Sequence, residues 1–407
     1  MSGETKNPPN VVAANTQKFD LWRNTCNGIV QASFTSACLL VTIRYFGASD
    51  TAKSLLAGGS SIGFLITPLF LLLIGRSKLP VSIICAILVF FVALSILASA
   101  VATSAWFYVG CVLTGCVIAA QVPSLMVHVY ANNYASNERG RKISGNLMLS
   151  AIVGSATALL IGLMLDKNLS YFRILAAVTF LFCLGTAYFH LKIPSNPLMS
   201  ESRGLSKDLV YAIKDRLFFW MLTGWMLVGI GNLVTIPLRV EYLANPVHGL
   251  DLSNTTVLCI TMVIPLICCV GSTPLWGWAF DKFNLAYVRI SINLFFLFGL
   301  FLYFQTQNLT LLNFAAALIG TASGGGTMAW TLWVTKVAPK GAESSYMSVH
   351  SFFTGVRGVF APFLGYWIIA NLGPAQVSWT SASLIILSCL VFLMLASDQR
   401  LNSKKHR

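Results

Sequence analysis

The chain has 407 residues, 56% of them hydrophobic and only 10% charged, with 27 Lys and Arg against 13 Asp and Glu for a formal net charge of +14. Soluble domains carry about 25% charged residues, and a mean hydropathy of +0.74 excludes a water-soluble globular fold. Charge-free runs at or above the roughly 20 residues of a bilayer-crossing helix recur throughout; a β-barrel, with alternating segments of about ten residues, is excluded as well.

In chain order, single spans lie between Arg23 and Arg44, Lys53 and Arg76, Lys142 and Asp166, Arg173 and Lys192, Arg216 and Arg239, and Asp251 and Asp281. Three longer stretches, Leu79 to Asn137, Ile290 to Thr335 and Ser344 to Ser397, each hold two spans, which makes twelve. A span in lipid must satisfy its backbone amides within itself, so the expected fold is an all-α integral membrane protein. Of the 27 basic residues, 21 fall in segments on one side, Arg44, Lys53, Lys167 and Arg173 on the other, and Arg239 and Arg357 within spans. Basic loops stay cytoplasmic, so both termini are expected in the cytoplasm, with the chain in the cytoplasmic (inner) membrane. The positive charge is then an orientation signal, with attraction to anionic lipid as a by-product and no nucleic-acid partner.

No cleavable leader is read at the start, because the first 18 residues are polar and the first apolar run is long enough to remain as a span. The ten cysteines lie in apolar segments without metal-type spacing and read as small buried hydrophobes. Asn168, Asn254 and Asn308 open glycosylation tripeptides in outer loops, but close to the membrane. The longest hydrophilic interruption, Ile193 to Asp215, holds Pro194, Pro197, Glu201, Arg203, Lys207, Asp208 and Lys214. It divides the chain into a six-helix bundle at 1–192, a cytoplasmic loop at 193–215, and a second bundle with a cytoplasmic tail at 216–407. The halves echo each other: "LVTIR" ends helix 1 at Arg44 and "LVTIPLR" ends helix 7 at Arg239, while Gly140 and Gly154 return as Gly341 and Gly355.

Three features carry a family resemblance: the twelve spans, the basic central loop, and signature segments in the cytoplasmic loops. "GWAFDKFN" at Gly277 to Asn284 contains glycine, three residues, aspartate and a basic residue; "LIGRSKLP" keeps Gly75, Arg76 and Lys78 without the aspartate; "NERGRK" spans Asn137 to Lys142. On these the chain resembles the major facilitator superfamily over essentially its whole length. The resemblance implies two pseudo-symmetric bundles around a cavity lined mainly by helices 1, 4, 7 and 10, with 2, 5, 8 and 11 contributing, opened alternately to each side. It also implies that Asp281, with Lys282 beside it, latches against a neighbouring helix; the first half lacks that aspartate.

Arg357 falls near the middle of helix 11, where an unpaired Arg costs roughly 3 kcal/mol or more. Tyr346, His350, Phe353 and Arg357 follow at steps of four, three and four, one polar stripe expected to face the cavity. One reading has Arg357 bind an anionic group through its guanidinium fork; the other has it bond carbonyls of a helix broken at Gly355, Gly358 and Pro362. On helix 1, Asn27 and Gln31 form a polar stripe with Asn24, for binding or for interhelical hydrogen bonds. Gln121 lies at mid-depth of helix 4, with His128 beyond it; Trp225 and Asn232 share a face of helix 7. Thr327, Trp330 and Trp333 follow a glycine-rich bend at Gly324 to Gly326; the aromatics suit either solute stacking or plain packing. Arg239 and Glu241, at the outer end of helix 7, fit an outer gate, with snorkelling as the alternative for Arg239. Arg44 reads as an interfacial anchor.

No Asp or Glu is read in the middle of a span, which disfavours cation transport, and no metal cluster, nucleotide loop, catalytic pair or cofactor site stands out. The expectation is a transporter, not an enzyme: a monomer in the lipid bilayer that moves a small-molecule solute, an organic anion. The alternatives are a polyspecific exporter of lipophilic compounds and a non-transporting sensor on the same fold.

Overall fold

The computed structural model describes residues 9–198, 214–248, 250–339 and 343–401. Gly341 and the central-loop residues Glu201, Arg203, Lys207 and Asp208 lie outside the described residues. Among the described residues, twelve helical rods follow one another. α1 runs Pro9–Ala32, through a π-helical turn at Ser33–Ala37, into Cys38–Arg44. Next come α2 (Asp50–Ile74), α3 (Val81–Ala100), α4 (Ala105–Asn133), α5 (Ser136–Lys167) and α6 (Phe172–Lys192). The second set is α7 (Arg216–Ala244), α8 (Asn254–Lys282, with a π-helical turn at Cys259–Val263), α9 (Leu285–Gln305), α10 (Leu309–Val337), α11 (Glu343–Leu372) and α12 (Pro374–Leu395). α3 to α12 each hold a window apolar and long enough to cross a bilayer.

Local chemistry sets the helix starts. Ser49, Ser104, Asp215, Ser253, Asn284 and Asn308 accept the first free amides of α2, α4, α7, α8, α9 and α10, donors with no partner inside the helix. Between α11 and α12 the chain turns at Gly373, whose φ of 85° suits a residue without a Cβ. Leu163, Leu181, Phe298 and Phe360 lie more than half exposed on the outside of the molecule, as side chains facing lipid must.

The pairing scheme repeats. In the first half α1 packs on α5 and α6, α3 on α4 and α6, and α2 on α4; in the second, α7 packs on α11 and α12, α9 on α10 and α12, and α8 on α10. The bundles meet where α2 packs on α11 and α5 on α8. These contacts lie toward the face opposite the termini: Ser54 and Gly58 of α2 reach Pro362 and Gly358 of α11, and Gly162 of α5 lies against Thr255 of α8. The apolar core follows the same division. One buried cluster joins the second bundle to the far half of the first, while the terminus-side half of the first bundle forms a cluster of its own.

Three expectations are corrected here. α1 begins at Pro9, so Asp20 and Arg23 are buried inside a helix, and Asp20 is a buried carboxylate that counting spans from Arg23 overlooked. It accepts from Arg23 Nε at 2.7 Å, from the Tyr130 hydroxyl at 2.9 Å and from Asn146 Nδ2, so α1, α4 and α5 share one satisfied carboxylate. Asn24 donates to the Asp20 carbonyl within α1. Gly324 to Gly326 make no bend: α10 runs unbroken from Leu309 to Val337, and the absent side chains let it press against α8 and α9, Gly324 on Cys269 and Gly325 on Trp276 and Ile292. Gly320 is set against the Pro265 backbone in the same interface. Gly320→Val is expected to force α8 and α10 apart and lower stability by about 1–3 kcal/mol, read as a lower melting temperature of purified protein; an unchanged melting temperature contradicts the packing.

Candidate functional site

Two adjoining cavities lie around the middle of the bilayer-spanning region. The first, about 470 Å³, is between the bundles and is lined by Asn27, Gly28 and Gln31 of α1, Ser150 and Gly154 of α5, Arg239 of α7, Thr261 and Pro265 of α8, and Ser323 of α10. The second, about 280 Å³, lies within the second bundle, lined by Trp225, Gly229 and Asn232 of α7, Arg289 and Phe296 of α9, Ser323, Thr327 and Trp330 of α10, and Arg357 of α11. Ser323 lines both, so the cavities are neighbours. Among the described residues, no Asp or Glu lines either one.

Arg357 is 8% exposed, and its Nη1 donates to the Trp225 carbonyl while its Nε is buried without a partner. Space for the guanidinium exists because residue 229 is glycine: a Cβ there would overlap the Arg357 side chain. Arg289, 3% exposed, stacks its guanidinium carbon 3.9 Å from the Trp225 ring centroid, with Nε and Nη1 lacking partners. Arg239 Nε and Asn232 Oδ1 are also buried and unpartnered. Among the described residues, none of these three arginines forms an ion pair; the ion pairs there join other side chains. Arginine does not neutralise by losing its proton, so the cavity walls keep positive charge.

The expected stripe on α11 divides. Arg357 reaches the second cavity, but the stripe faces the interior of its own bundle instead of the space between bundles. His350, 1% exposed, lies inside a cage of Trp225, Trp330 and Trp333 at ring centroids of 5.5, 5.4 and 5.2 Å, with both ring nitrogens unpartnered. Tyr346 donates to Asp215 Oδ2 at 3.2 Å near the terminus-side end, where Arg400 bonds the same carboxylate at 2.9 and 3.2 Å. Burial works against ionisation of Asp215, but bonds from Arg400, the Phe218 amide and Tyr346 outweigh it and hold the carboxyl below its ordinary range.

Gln121 is corrected to a brace: its Nε2 donates to the Gly63 and Val117 carbonyls at 2.9 and 3.0 Å, and its Oε1 accepts from Thr67 at 2.8 Å, which ties α4 to α2 and uses up the amide. His128 pairs with Asn132 at 3.0 Å. Asn27 and Gln31 line the first cavity, as does Arg239, two residues from Glu241 but on another face of α7. Glu241 accepts from Lys53 at 2.8 Å and from Asn245 at 2.7 Å, and Lys53 also reaches Asp50 at 2.9 Å. Arg44 is no simple interfacial anchor: it donates to the Ala244 and Leu252 carbonyls, Asn254 and Asp251 across the bundle boundary. Asn254, so bonded, is buried, which removes it from glycosylation. Asp166 of α5 completes this far-face ring by accepting from the Asn254 and Thr255 amides and the Thr255 hydroxyl. Asp281 stands exposed at the end of α8 and forms no ion pair among the described residues, and the Lys282 ammonium lies 5.3 Å over the Trp278 ring. Beside it Lys336 of α10 donates to the Phe280 carbonyl of α8 at 2.6 Å, within electrostatic reach of Asp281.

Sequence reasoning missed Arg289, counted as a cytoplasmic loop residue, and Lys53, counted among the outer-side residues between spans. Asn284 was the available signal: an Asn that caps a helix puts Arg289 more than a turn inside it.

The Major Facilitator Superfamily model matches residues 24–356 and 251–407. Two crystal structures of nucleoside transporter NupG, one of a mutant, are similar at TM-scores of 0.76 and 0.70, with 11% and 13% identity over 95% of this chain and 100% of theirs. A partially occluded inward-open structure of the xylose transporter XylE from E. coli is similar at 0.69, with 16% identity over 96% of this chain and 99% of that one. A bacterial homologue of the human lysosomal transporter Spinster is similar at 0.62, with 15% identity over 97% of this chain and 96% of that one. No curated protein matches in sequence.

Proposed function

We propose that this chain, which belongs to the major facilitator superfamily, is a secondary transporter that carries a small organic anion across the membrane by alternating access. The observation that carries this reading is Arg357: a buried guanidinium halfway along α11, on a cavity wall, with no carboxylate partner. Burying an unpaired charge is strongly unfavourable, and a solute carboxylate or phosphate relieves that cost with a charge-assisted, fork-shaped contact. Arg239, beside the amides of Asn27 and Gln31, offers a first contact between the bundles before the solute reaches the neighbouring cavity.

Both termini are taken as cytoplasmic from the distribution of basic residues. The ring of Arg44, Lys53, Asp166 and Glu241 then closes the outer side, Glu241 being the gate carboxylate, and the latch at Asp281 and Lys282 engages when the inner side closes instead. Rocking one bundle on the other exchanges the two closures.

A second reading has one observation in its favour: Asn27, Gln31 and Asn232 present amides to the cavities, which suit the hydroxyls of a neutral solute such as the nucleoside or xylose in the names of similar proteins. Uptake into proteoliposomes of labelled carboxylates and phosphate esters, set against labelled ribose and uridine, tests the choice. Saturable anion uptake is expected; uptake confined to the neutral compounds refutes the anion reading.

A further inference from the structure

We propose that the solute carries two negative charges, and that Arg289 is the second anchor that makes the site selective for a compact organic dianion, a dicarboxylate or a phosphate monoester. This rests on the anion reading above and goes further by assigning charge number and a second binding residue.

Trp225 organises the pair. Its carbonyl accepts from Arg357 and its ring carries Arg289 at 3.9 Å, so one residue of α7 holds guanidiniums from α9 and α11 at the same cavity. A guanidinium stacked flat on an aromatic face keeps its edge of N–H donors available in the ring plane. Those donors are unmet: Nε and Nη1 of Arg289 and Nε of Arg357 have no protein partner. Among the described residues the cavity wall offers no acid, and Asn232, Ser323 and Thr327 are its other polar aliphatic side chains. Both side chains are more than nine-tenths buried, so water compensates neither charge as it would at a surface.

A neutral solute leaves two buried cations uncompensated and a monoanion leaves one; a dianion leaves none. Two forks of parallel donors also match two carboxylates, or the several oxygens of one phosphate, better than a single monovalent group. At about 280 Å³ the cavity stands at the small end of ligand pockets, which run from about 300 Å³ upward. That size favours a short dicarboxylate or small phosphate ester over a nucleotide.

Matched pairs differing by one charge provide the test: succinate with its monoamide, and methyl phosphate with dimethyl phosphate. Binding to purified full-length protein is read by thermal shift and uptake by proteoliposomes, for the wild type, Arg289→Gln and Arg289→Lys. The expected result is that the dianion of one pair binds at least tenfold tighter than its singly charged partner. Arg289→Gln removes that preference while monoanion binding persists, and Arg289→Lys retains part of it. Whichever pair shows the effect identifies the dicarboxylate or the phosphate ester as the ligand class. Equal binding of the partners by the wild type, or a preference that survives Arg289→Gln, overturns the inference and leaves the anion reading standing. Failure of all four anions, with uptake of ribose or uridine intact, overturns both. The comparison within the wild type needs no variant to fold.

Discussion

Arg357→Gln is expected to reduce saturable anion uptake roughly ten- to hundredfold. A hydrogen bond to a charged group contributes about 1.5–3 kcal/mol, and each 1.4 kcal/mol is a factor of ten in affinity. Glutamine retains an N–H donor on the side facing Trp225, whose carbonyl takes the one hydrogen bond that the guanidinium makes among the described residues, while removing the charge. The folded protein should become more stable, since an uncompensated buried cation disappears. Lower uptake joined to a higher melting temperature is the signature of a binding charge; lower uptake with a lower melting temperature would mark Arg357 as structural. Gly229→Ala supplies an independent route to the same outcome, because the added Cβ occupies the space of the guanidinium and displaces it without altering its charge. Uptake as in the wild type from both variants contradicts the role.

Lys53→Met is expected to release the far-face closure. The Lys53 ammonium and Glu241 carboxylate are 2.8 Å apart, with side chains 6% and 3% exposed, and join α2 of one bundle to α7 of the other. Removing one partner of such a pair costs about 3–5 kcal/mol, because the remaining charge stays buried and unpaired. Here that penalty applies only while the bundles are together, since parting them hydrates Glu241. The balance between closed and open outer faces should therefore shift by more than about hundredfold. Distances between spin labels on unnatural side chains at positions 167 and 247, at the far ends of the two bundles, report it: the single variant lengthens the distance. In Lys53→Met with Glu241→Leu no charge is stranded and the closed distance returns, as apolar replacements of buried pairs are often neutral or better. An equally open double variant would mean that the pair does not act as the gate. The neighbouring ring of Arg44 with Asp251, Asn254 and the Ala244 and Leu252 carbonyls remains in both variants and limits the opening.

Much of the architecture was readable because charge punctuates a hydrophobic chain: a helix in lipid must be long and apolar, and its ends collect the polar residues. Arg357 stood out for that reason, alone in a long charge-free stretch. The same rule misled where a helix extends past its charges. Asp20 and Arg23 are buried in α1 because they neutralise each other and share Tyr130, with Asn146 donating to Asp20, a tertiary arrangement that no count along the chain contains. Arg289 was hidden likewise, being near the start of α9 in sequence yet folded inward against Trp225. Polar residues within spans were found but not sorted. Gln121 and Asn27 look alike on a helical wheel, and only neighbouring α2, with the Gly63 carbonyl and the Thr67 hydroxyl in reach, makes the first a brace. Arg44 and Glu241 meet partners about 200 residues away, so the far-face contacts they make required both bundles to be in place.

A structure determined with the transported anion bound tests the central claim most directly. The anion's oxygens are expected within hydrogen-bonding distance of the Arg357 guanidinium, in the cavity bounded by Trp225, Asn232 and Trp330. An anion seated elsewhere, with Arg357 still bonded only to the Trp225 carbonyl, would contradict it.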